Sequence, residues 1–163
     1  MPMAYTMKTD GMDELSRMLS NLGNAAQGVA AASLYEGAGV MADAVSQAVH
    51  GIATEPFRYA GGGRKRKPSP EEKAILEAAP KGVAKFQKNG LSVSTSVGLS
   101  NSGYARLGNA QKPVPQIANA INSGTSFMEK QPFFRKAVSK TQRAATAAIE
   151  DGIQRRVEEI SKE

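Results

Sequence analysis

The residue types that most often perform catalysis or bind metals are scarce here, and their spacing predicts no active site. The 163-residue chain has no cysteine, which excludes disulfides and thiolate chemistry. The pairs Glu71-Glu72 and Glu158-Glu159 are adjacent in the sequence. Neighbouring residues on a helix point about 100° apart, so neither pair can act on one substrate as catalytic carboxylates do. We interpret both pairs as solvated helix faces.

The single histidine and the glycine-rich stretches do not alter this expectation. His50 falls at the end of the first predicted helix, where a cation is mildly favourable to the helix dipole. The glycines around Gly37 and Gly61 lack the remaining pattern of a phosphate-binding loop. The sequence therefore predicts no enzyme, no cofactor and no metal site.

The strongest charge feature is a basic run that follows three glycines, namely Arg64, Lys65, Arg66 and Lys67. The chain has 21 basic and 15 acidic residues, a net charge of +6, and residues 64–88 alone hold eight basic and three acidic residues. The basic run is therefore the candidate contact to a partner. Three interpretations remain open: a solvated loop, docking on an acidic protein surface, and non-specific contact with nucleic-acid phosphates.

Length and hydropathy favour a single domain over residues 1–163 that is made and kept in the cytoplasm. A chain of this length can bury one core but hardly two. No apolar run approaches the roughly 20 residues that span a bilayer. Residues 1–11 lack the basic and apolar regions of a secretory signal. We expect no contact with a membrane.

The elements that must position the basic run begin with a strand and a long helix. Residues 4–9 alternate in character and precede an Asp-Gly turn, which predicts an edge strand. From Met12 onward, apolar residues recur at helical spacing, which predicts a helix over residues 12–51. Gly37 and Gly39 interrupt this helix, and they indicate a bend or the close approach of another backbone.

Residues 54–90 have the composition of a flexible basic insertion. Within it, Ser69 and Glu72 stand at the spacing of a capping box, in which each side chain bonds the backbone N–H of the other residue. Pro70 between them is favourable at the first helical position. This pattern predicts a short helix over residues 70–79.

The strongest strand signal follows the insertion. Residues 91–100 alternate between apolar and small polar side chains without a fault, which is the period of a half-buried strand. We expect strands over residues 91–124. Within that range, residues 116–121 have the pattern of either a strand or a short helix.

Pro132, Phe133 and Phe134 are predicted to anchor a C-terminal helix over residues 132–161. Proline suits the first helical position because its missing N–H has no intrahelical partner there. The predicted apolar stripe comprises Phe134, Val138, Thr141, Ala145, Ile149, Ile153, Val157 and Ile160. The opposite, charged face comprises Arg135, Lys136, Lys140, Arg143, Glu150, Arg155, Arg156 and Glu159. Together the elements predict an α+β fold with a small antiparallel sheet, two long helices and a basic loop insertion.

Three segments resemble the minor tail components of long-tailed bacteriophages, which include tail-completion, neck and head–tail joining proteins. The segments are TMKTDGMDELSRMLSNL, SNSGYARLGNAQKPVPQIANAINSGTS and FMEKQPFFRKAVSKT. In that family a Gly-x-Asp-Glu-Leu-like turn leads into a long helix, matched here by Gly11, Asp13, Glu14 and Leu15. An aromatic residue and a Gly-Thr element then precede a Pro-Phe-x-Arg-x-Ala helix start, matched here by Tyr104, Gly124, Thr125 and residues 132–137.

The resemblance implies a structural virion protein without enzymatic activity. Its copies would form a ring, with six as the expected number, where the capsid connector meets the tail. The expected neighbours are head-completion or connector proteins on one side and the tail tube or tail terminator protein on the other, with non-specific contact to DNA in the channel. The protein would lie in the neck or tail of the virion, and in the host cytoplasm during assembly. On this basis, the aromatic pair would fix the last helix to the sheet.

The chain departs from the family pattern at Pro80, Lys81 and Gly82, where a Pro-x-x-Thr-Gly-x-Leu stretch is expected. The layer of the neck to which the protein belongs stays open. The alternative function is that of a small cationic nucleic-acid-binding protein, in which the basic run would contact phosphates. No aromatic residue alternates with these cations, as a platform for single strands would require. The virion role is therefore the first choice.

Overall fold

The computed structural model describes residues 12–56, 63–79, 82–83, 87–89, 92–95, 97–99 and 103–163. The predicted strand over residues 4–9 lies outside these ranges, as do Gly11, Pro80 and Lys81. The helices are α1 (Met12–His50), α2 (Pro70–Ala78), α3 (Val114–Ser123) and α4 (Phe133–Lys162). The strands are β1 (Gly82–Val83), β2 (Gln87–Asn89), β3 (Ser92–Ser94), β4 (Val97–Gly98), β5 (Tyr104–Leu107) and β6 (Ala110–Pro113). The fold is α+β, as predicted.

Helices α1 and α4 form a long antiparallel pair. The start of α4 lies beside Ala44 and Ala48 near the end of α1, and the end of α4 lies beside Ala25. A Cβ atom on Gly37 would lie only 2.9 Å from the carbonyl oxygen of Ala145, so this glycine is what lets the two backbones approach. The prediction of close packing near Gly37 is confirmed.

The buried side of α4 differs from the predicted stripe by about one residue. The buried residues of α4 are Phe133, Ala137, Ala145 and Gly152. Val138 is only half-buried, and Ile153 is 39% exposed. The predicted stripe is buried at Ala145 and half-buried at its other positions except Ile153, so it lies beside the contact with α1. Small residues occupy the closest approach because the two backbones run close together there.

The hydrophobic core lies where α2 and α3 meet the ends of the helical pair. It is formed by Val45, Val49, Ile52, Leu76, Ala79, Leu99, Val114, Ile117, Ala118, Ile121, Met128, Phe133 and Ala137. Almost all of these residues belong to helices or to the turns beside them. Among the side chains whose burial the structure describes, the helices supply most of the apolar surface of the core.

The described strands form three antiparallel pairs. The predicted strand over residues 91–100 is split into β3, which pairs with β2, and β4, which pairs with β1. The pair β2–β3 lies within the pair β1–β4 along the sequence, and the register differs by one residue between Val83–Val97 and Gln87–Ser94. A separate hairpin joins β5 to β6 through Gly108, whose φ of +63° favours glycine.

The prediction of strands up to residue 124 is wrong for its last part, because residues 114–123 form α3. The buried side chains of α3 are Val114, Ile117, Ala118 and Ile121. This spacing of three and four is that of one helix face, and it outweighs the β-branched composition. None of the described helices combines the length and the apolar character needed to cross a membrane.

Candidate protein interface

Arg66 is the fixed point of the basic run. Its N–H donates to the carbonyl oxygen of Phe127 at 2.9 Å, and its own carbonyl accepts the N–H of Glu129 at 2.8 Å. Its guanidinium donates two hydrogen bonds of 2.8 Å to the carboxylate of Glu72, and it lies 5.9 Å from the centre of the Phe127 ring. The Arg66 side chain is 14% exposed and that of Glu72 only 6%. Arg66 therefore joins parts of the fold and is not available to a partner.

Glu72 combines a helix cap with this ion pair. The backbone N–H of Glu72 donates to Ser69 Oγ at 3.2 Å, and the N–H of Ser69 donates to Glu72 Oε2 at 2.8 Å. This is the predicted capping box, and α2 begins at Pro70 as expected. Burial raises the pKa of Glu72, but the hydrogen bonds from Arg66 and Ser69 outweigh burial and hold the pKa below its usual value. The interpretation of Glu72 as part of a solvated face is wrong.

The other three cations of the run differ in exposure. Arg64 Nη2 donates to Glu55 Oε1 at 2.6 Å, although the Arg64 side chain is largely exposed. The N–H of Lys67 donates to the second oxygen of Glu55 at 3.3 Å, and the Lys67 side chain is half-buried. Lys65 is exposed and makes no ion pair with the described residues. Of the four predicted contact residues, Lys65 and Arg64 are the ones that a partner could reach.

These contacts correct the interpretation of residues 64–67 as a free loop. The backbone of the run is bonded to the turn at residues 127–129, and a second hydrogen bond joins the N–H of Glu55 to the carbonyl of Pro68. The run is held in place because the acidic residues Glu55 and Glu72 lie on either side of it and bind its arginines. Glycine and charge content alone did not reveal these partners.

Pro132, Phe133 and Phe134 stand at the start of α4, as predicted, but in different roles. Pro132 precedes the helix, which begins at Phe133. Phe133 is 7% exposed and belongs to the core, while Phe134 is half-buried and packs against it. The N–H of Phe134 donates to Asn122 Oδ1 at 3.2 Å, so a side chain from α3 satisfies one free N–H of the first turn.

The aromatic pair borders a strand as well as helices. Phe133 and Phe134 line a cleft together with Ala118 and Asn122 of α3, with both residues of β4 and with Leu99 after it. The same Phe133 ring borders the groove between α1 and α4. The pair therefore borders β4 as well as helices α1 and α3, so the expected contact of α4 with a strand is joined by contacts with other helices.

His50 makes contacts that hold two helices together. His50 Nδ1 lies 3.0 Å from Glu77 Oε1, and the carbonyl of His50 accepts a 2.7 Å hydrogen bond from Lys73 Nζ. These contacts join the end of α1 to α2. In the part of the chain that the structure describes, no three His, Asp or Glu side chains are grouped so that they could hold a metal ion.

A second cluster, which the sequence patterns did not predict, joins α1 to α4 at Glu36. Arg156 Nη2 donates to Glu36 Oε1 at 2.6 Å, and Arg155 Nη2 donates to the same atom at 2.8 Å. Arg156 Nη1 also donates to Ser33 Oγ, which is fully buried. Both arginines were assigned to a solvated face, and the fold instead brings them to a residue about 120 positions earlier. Periodicity within one helix cannot reveal such a partner.

Comparison with known protein families, with curated proteins and with solved structures finds no match to this chain.

Proposed function

We propose that the protein is a structural subunit of a tailed-phage virion, and that six copies form a ring where the head joins the tail. The first support is the resemblance of three segments to tail-completion and neck proteins. The observation that carries the proposal is where the resembling segments lie in the fold. Residues of the second and third segments build the connection between α3 and α4, and this connection sets the direction of the long last helix.

This connection is specific in its geometry. Gly124 ends α3 with a φ of +75°, a backbone conformation that favours glycine. The side chain of Thr125 then accepts the N–H of Met128 at 2.9 Å, and the N–H of Gln131 donates to the carbonyl of Ile121 at 2.8 Å. The Gly-Thr element therefore has a physical role that leads directly to the aromatic helix start. The residues that carry the resemblance shape the scaffold of the protein, and this supports a structural function.

Electron microscopy of particles assembled without the protein tests the proposal. Filled heads and separate tails are expected to accumulate, and addition of the purified protein should restore joining. Normal, infectious particles in its absence would contradict a role at the junction. Heads without tails, in a preparation that also lacks separate tails, would mean that the protein acts at another step of assembly. That outcome also contradicts the proposal.

A small nucleic-acid-binding protein is the second candidate, and exposed cations favour it. Lys65 is exposed, and the first half of α4 adds the exposed residues Arg135, Lys136, Lys140 and Arg143. Binding by such cations should weaken steeply with salt and should need no oligomer. Retention on DNA at low salt by a protein that stays monomeric, together with normal head–tail joining in its absence, would favour this candidate.

A further inference from the structure

A groove opens between the end of α1 and the start of α4. It has a volume of about 490 Å³ and an apolar floor that comprises Ala44, Ala48, Phe133 and Ala137. Three lysines border it, namely Lys130, Lys136 and Lys140. All three are exposed, and none makes an ion pair within the described residues. The groove is thus apolar inside and cationic at its edge.

Among the described residues that line the groove, no carboxylate offsets these lysines. The acidic residues nearest along the chain, Asp43 and Glu129, are exposed and do not line it. The positive end of the α4 dipole lies at the same place, because Pro132 and Phe133 border the groove. A ligand that fits this groove must combine carboxylates with some apolar surface.

The opposite end of α4 has this combination. Its exposed acidic residues are Glu150, Asp151, Glu158, Glu159 and Glu163. Ile153 is 39% exposed, and Val157 and Ile160 are half-buried, so apolar surface accompanies the charge. The nearby arginines Arg155 and Arg156 are already bound to Glu36. The last turns of α4 therefore present carboxylates that have no ion-pair partner in the described part of their own chain.

One molecule cannot bring these two surfaces together. Helix α4 has 30 residues and is about 45 Å long, so its acidic end and the groove at its start lie far apart. We propose that the acidic end of α4 from one copy docks in the lysine-bordered groove of a second copy. When each copy gives its acidic end to one neighbour and its groove to another, the contact is heterologous, and repeated head-to-tail contacts produce a closed ring or an open filament.

This inference rests on the proposed function, since it assigns the surfaces between neighbouring ring subunits. The groove would be the receiving surface and Glu159 and Glu163 the inserted carboxylates. Opposite charges at this contact should steer association and fix which end meets which. Association should weaken as salt is raised, because the lysines at the edge remain near water.

Charge reversal at each surface tests the contact with purified full-length protein. Lys136→Glu with Lys140→Glu reverses the groove, and Glu159→Lys with Glu163→Lys reverses the acidic end. Each double variant alone should associate at least about tenfold more weakly than the wild type in sedimentation equilibrium at low salt. An equal mixture of the two should regain association, because the reversed groove then receives the reversed end.

The control variant for the groove reversal must carry the same change in net charge outside both surfaces. Arg106→Glu with Lys112→Glu serves, because both residues are exposed on the β5–β6 hairpin. It should associate like the wild type, and circular dichroism should show unchanged folding for all variants. Reversed proteins that associate normally, or a mixture that stays dissociated, would overturn the inference.

Cysteine cross-linking covers the case of weak association, since the chain has no cysteine of its own. Lys140→Cys and Glu159→Cys proteins, mixed at high concentration, should form a mixed disulfide dimer much faster than the same mixture with Arg106→Cys in place of Lys140→Cys. Equal rates would overturn the contact. So would a groove-reversed protein that loses retention of a short DNA duplex while the end-reversed protein associates normally, because the groove would then be a phosphate site.

The two proposals can fail separately. Particles that join normally without the protein would contradict the virion role and leave the reversal and cross-linking results standing. Separate heads and tails combined with unaffected association of the reversed variants would leave the virion role and remove this contact.

Discussion

The two arginine–glutamate clusters of the molecule use the same chemical groups in different surroundings. Arg66 and Glu72 are 14% and 6% exposed. Glu36 is 36% exposed, and its partners Arg155 and Arg156 are 57% and 24% exposed. A buried pair cannot lose one partner without leaving an uncompensated charge, whereas water replaces a lost partner at the surface. The degree of burial, more than hydrogen-bond length, should therefore decide which of the two clusters contributes more to the free energy of unfolding.

The largest expected effect follows from removal of Arg66. Arg66→Ala leaves the Glu72 carboxylate buried without its partner, which typically costs about 3–5 kcal/mol of unfolding free energy. Urea unfolding of the variant measures this loss, and Lys65→Ala is the control because Lys65 is exposed in the same run. The double variant Arg66→Met with Glu72→Met should recover much of the stability, since it leaves no buried charge. If Arg66→Ala lowers the free energy of unfolding no more than Lys65→Ala does, the ranking of the clusters by burial is wrong.

The pH dependence of this site has a definite sign. Because the pKa of Glu72 is lower in the folded than in the unfolded protein, its ionised form stabilises the fold. That contribution is complete above the unfolded pKa of about 4.3 and is lost as the pH falls through the folded value.

The difference in unfolding free energy between wild type and Glu72→Gln should therefore be constant near neutral pH and shrink at acid pH. Measurements in urea from neutral to acid pH can follow it, and the lowered pKa of Glu36 cancels because both proteins retain Glu36. A difference that grows as the pH falls would have the wrong sign.

The contact between α1 and α4 at Gly37 should show a smaller effect on stability, and Gly39 provides a matched control. Alanine normally stabilises a helix relative to glycine by about 1 kcal/mol. At Gly37 the new Cβ would meet the Ala145 carbonyl oxygen at 2.9 Å, and a backbone atom cannot move away as a side-chain tip can. Overpacking of this kind costs about 1–3 kcal/mol, so Gly37→Ala should lower the melting temperature. At Gly39 nothing lies within 4 Å of the added Cβ, and Gly39→Ala should raise it.

The same two glycines show where sequence reasoning succeeded and where it stopped. The bounds of α1, α2 and α4 were predicted within one residue because apolar period, the Ser69–Glu72 cap and the proline before Phe133 are local signals. Local signals indicated close packing at Gly37 but could not say that Gly39 is open. The ion-pair partners of Arg66 and Glu36 were missed because the fold, and not the periodicity of one element, brings them together.

The smallest expected effect belongs to the exposed cluster. The hydrogen bond from Arg156 lowers the pKa of Glu36 most strongly, with Arg155 adding to it. Water nevertheless reaches the carboxylate, so Glu36→Gln should shift the melting temperature only slightly at low salt and still less at high salt. The loss caused by Arg66→Ala should persist at high salt, because a buried pair is screened much less. Melting curves of both variants at low and high salt compare the two clusters directly. A large, salt-independent loss for Glu36→Gln would mean that its link through Arg156 to the buried Ser33, and not its own exposure, sets its contribution to stability.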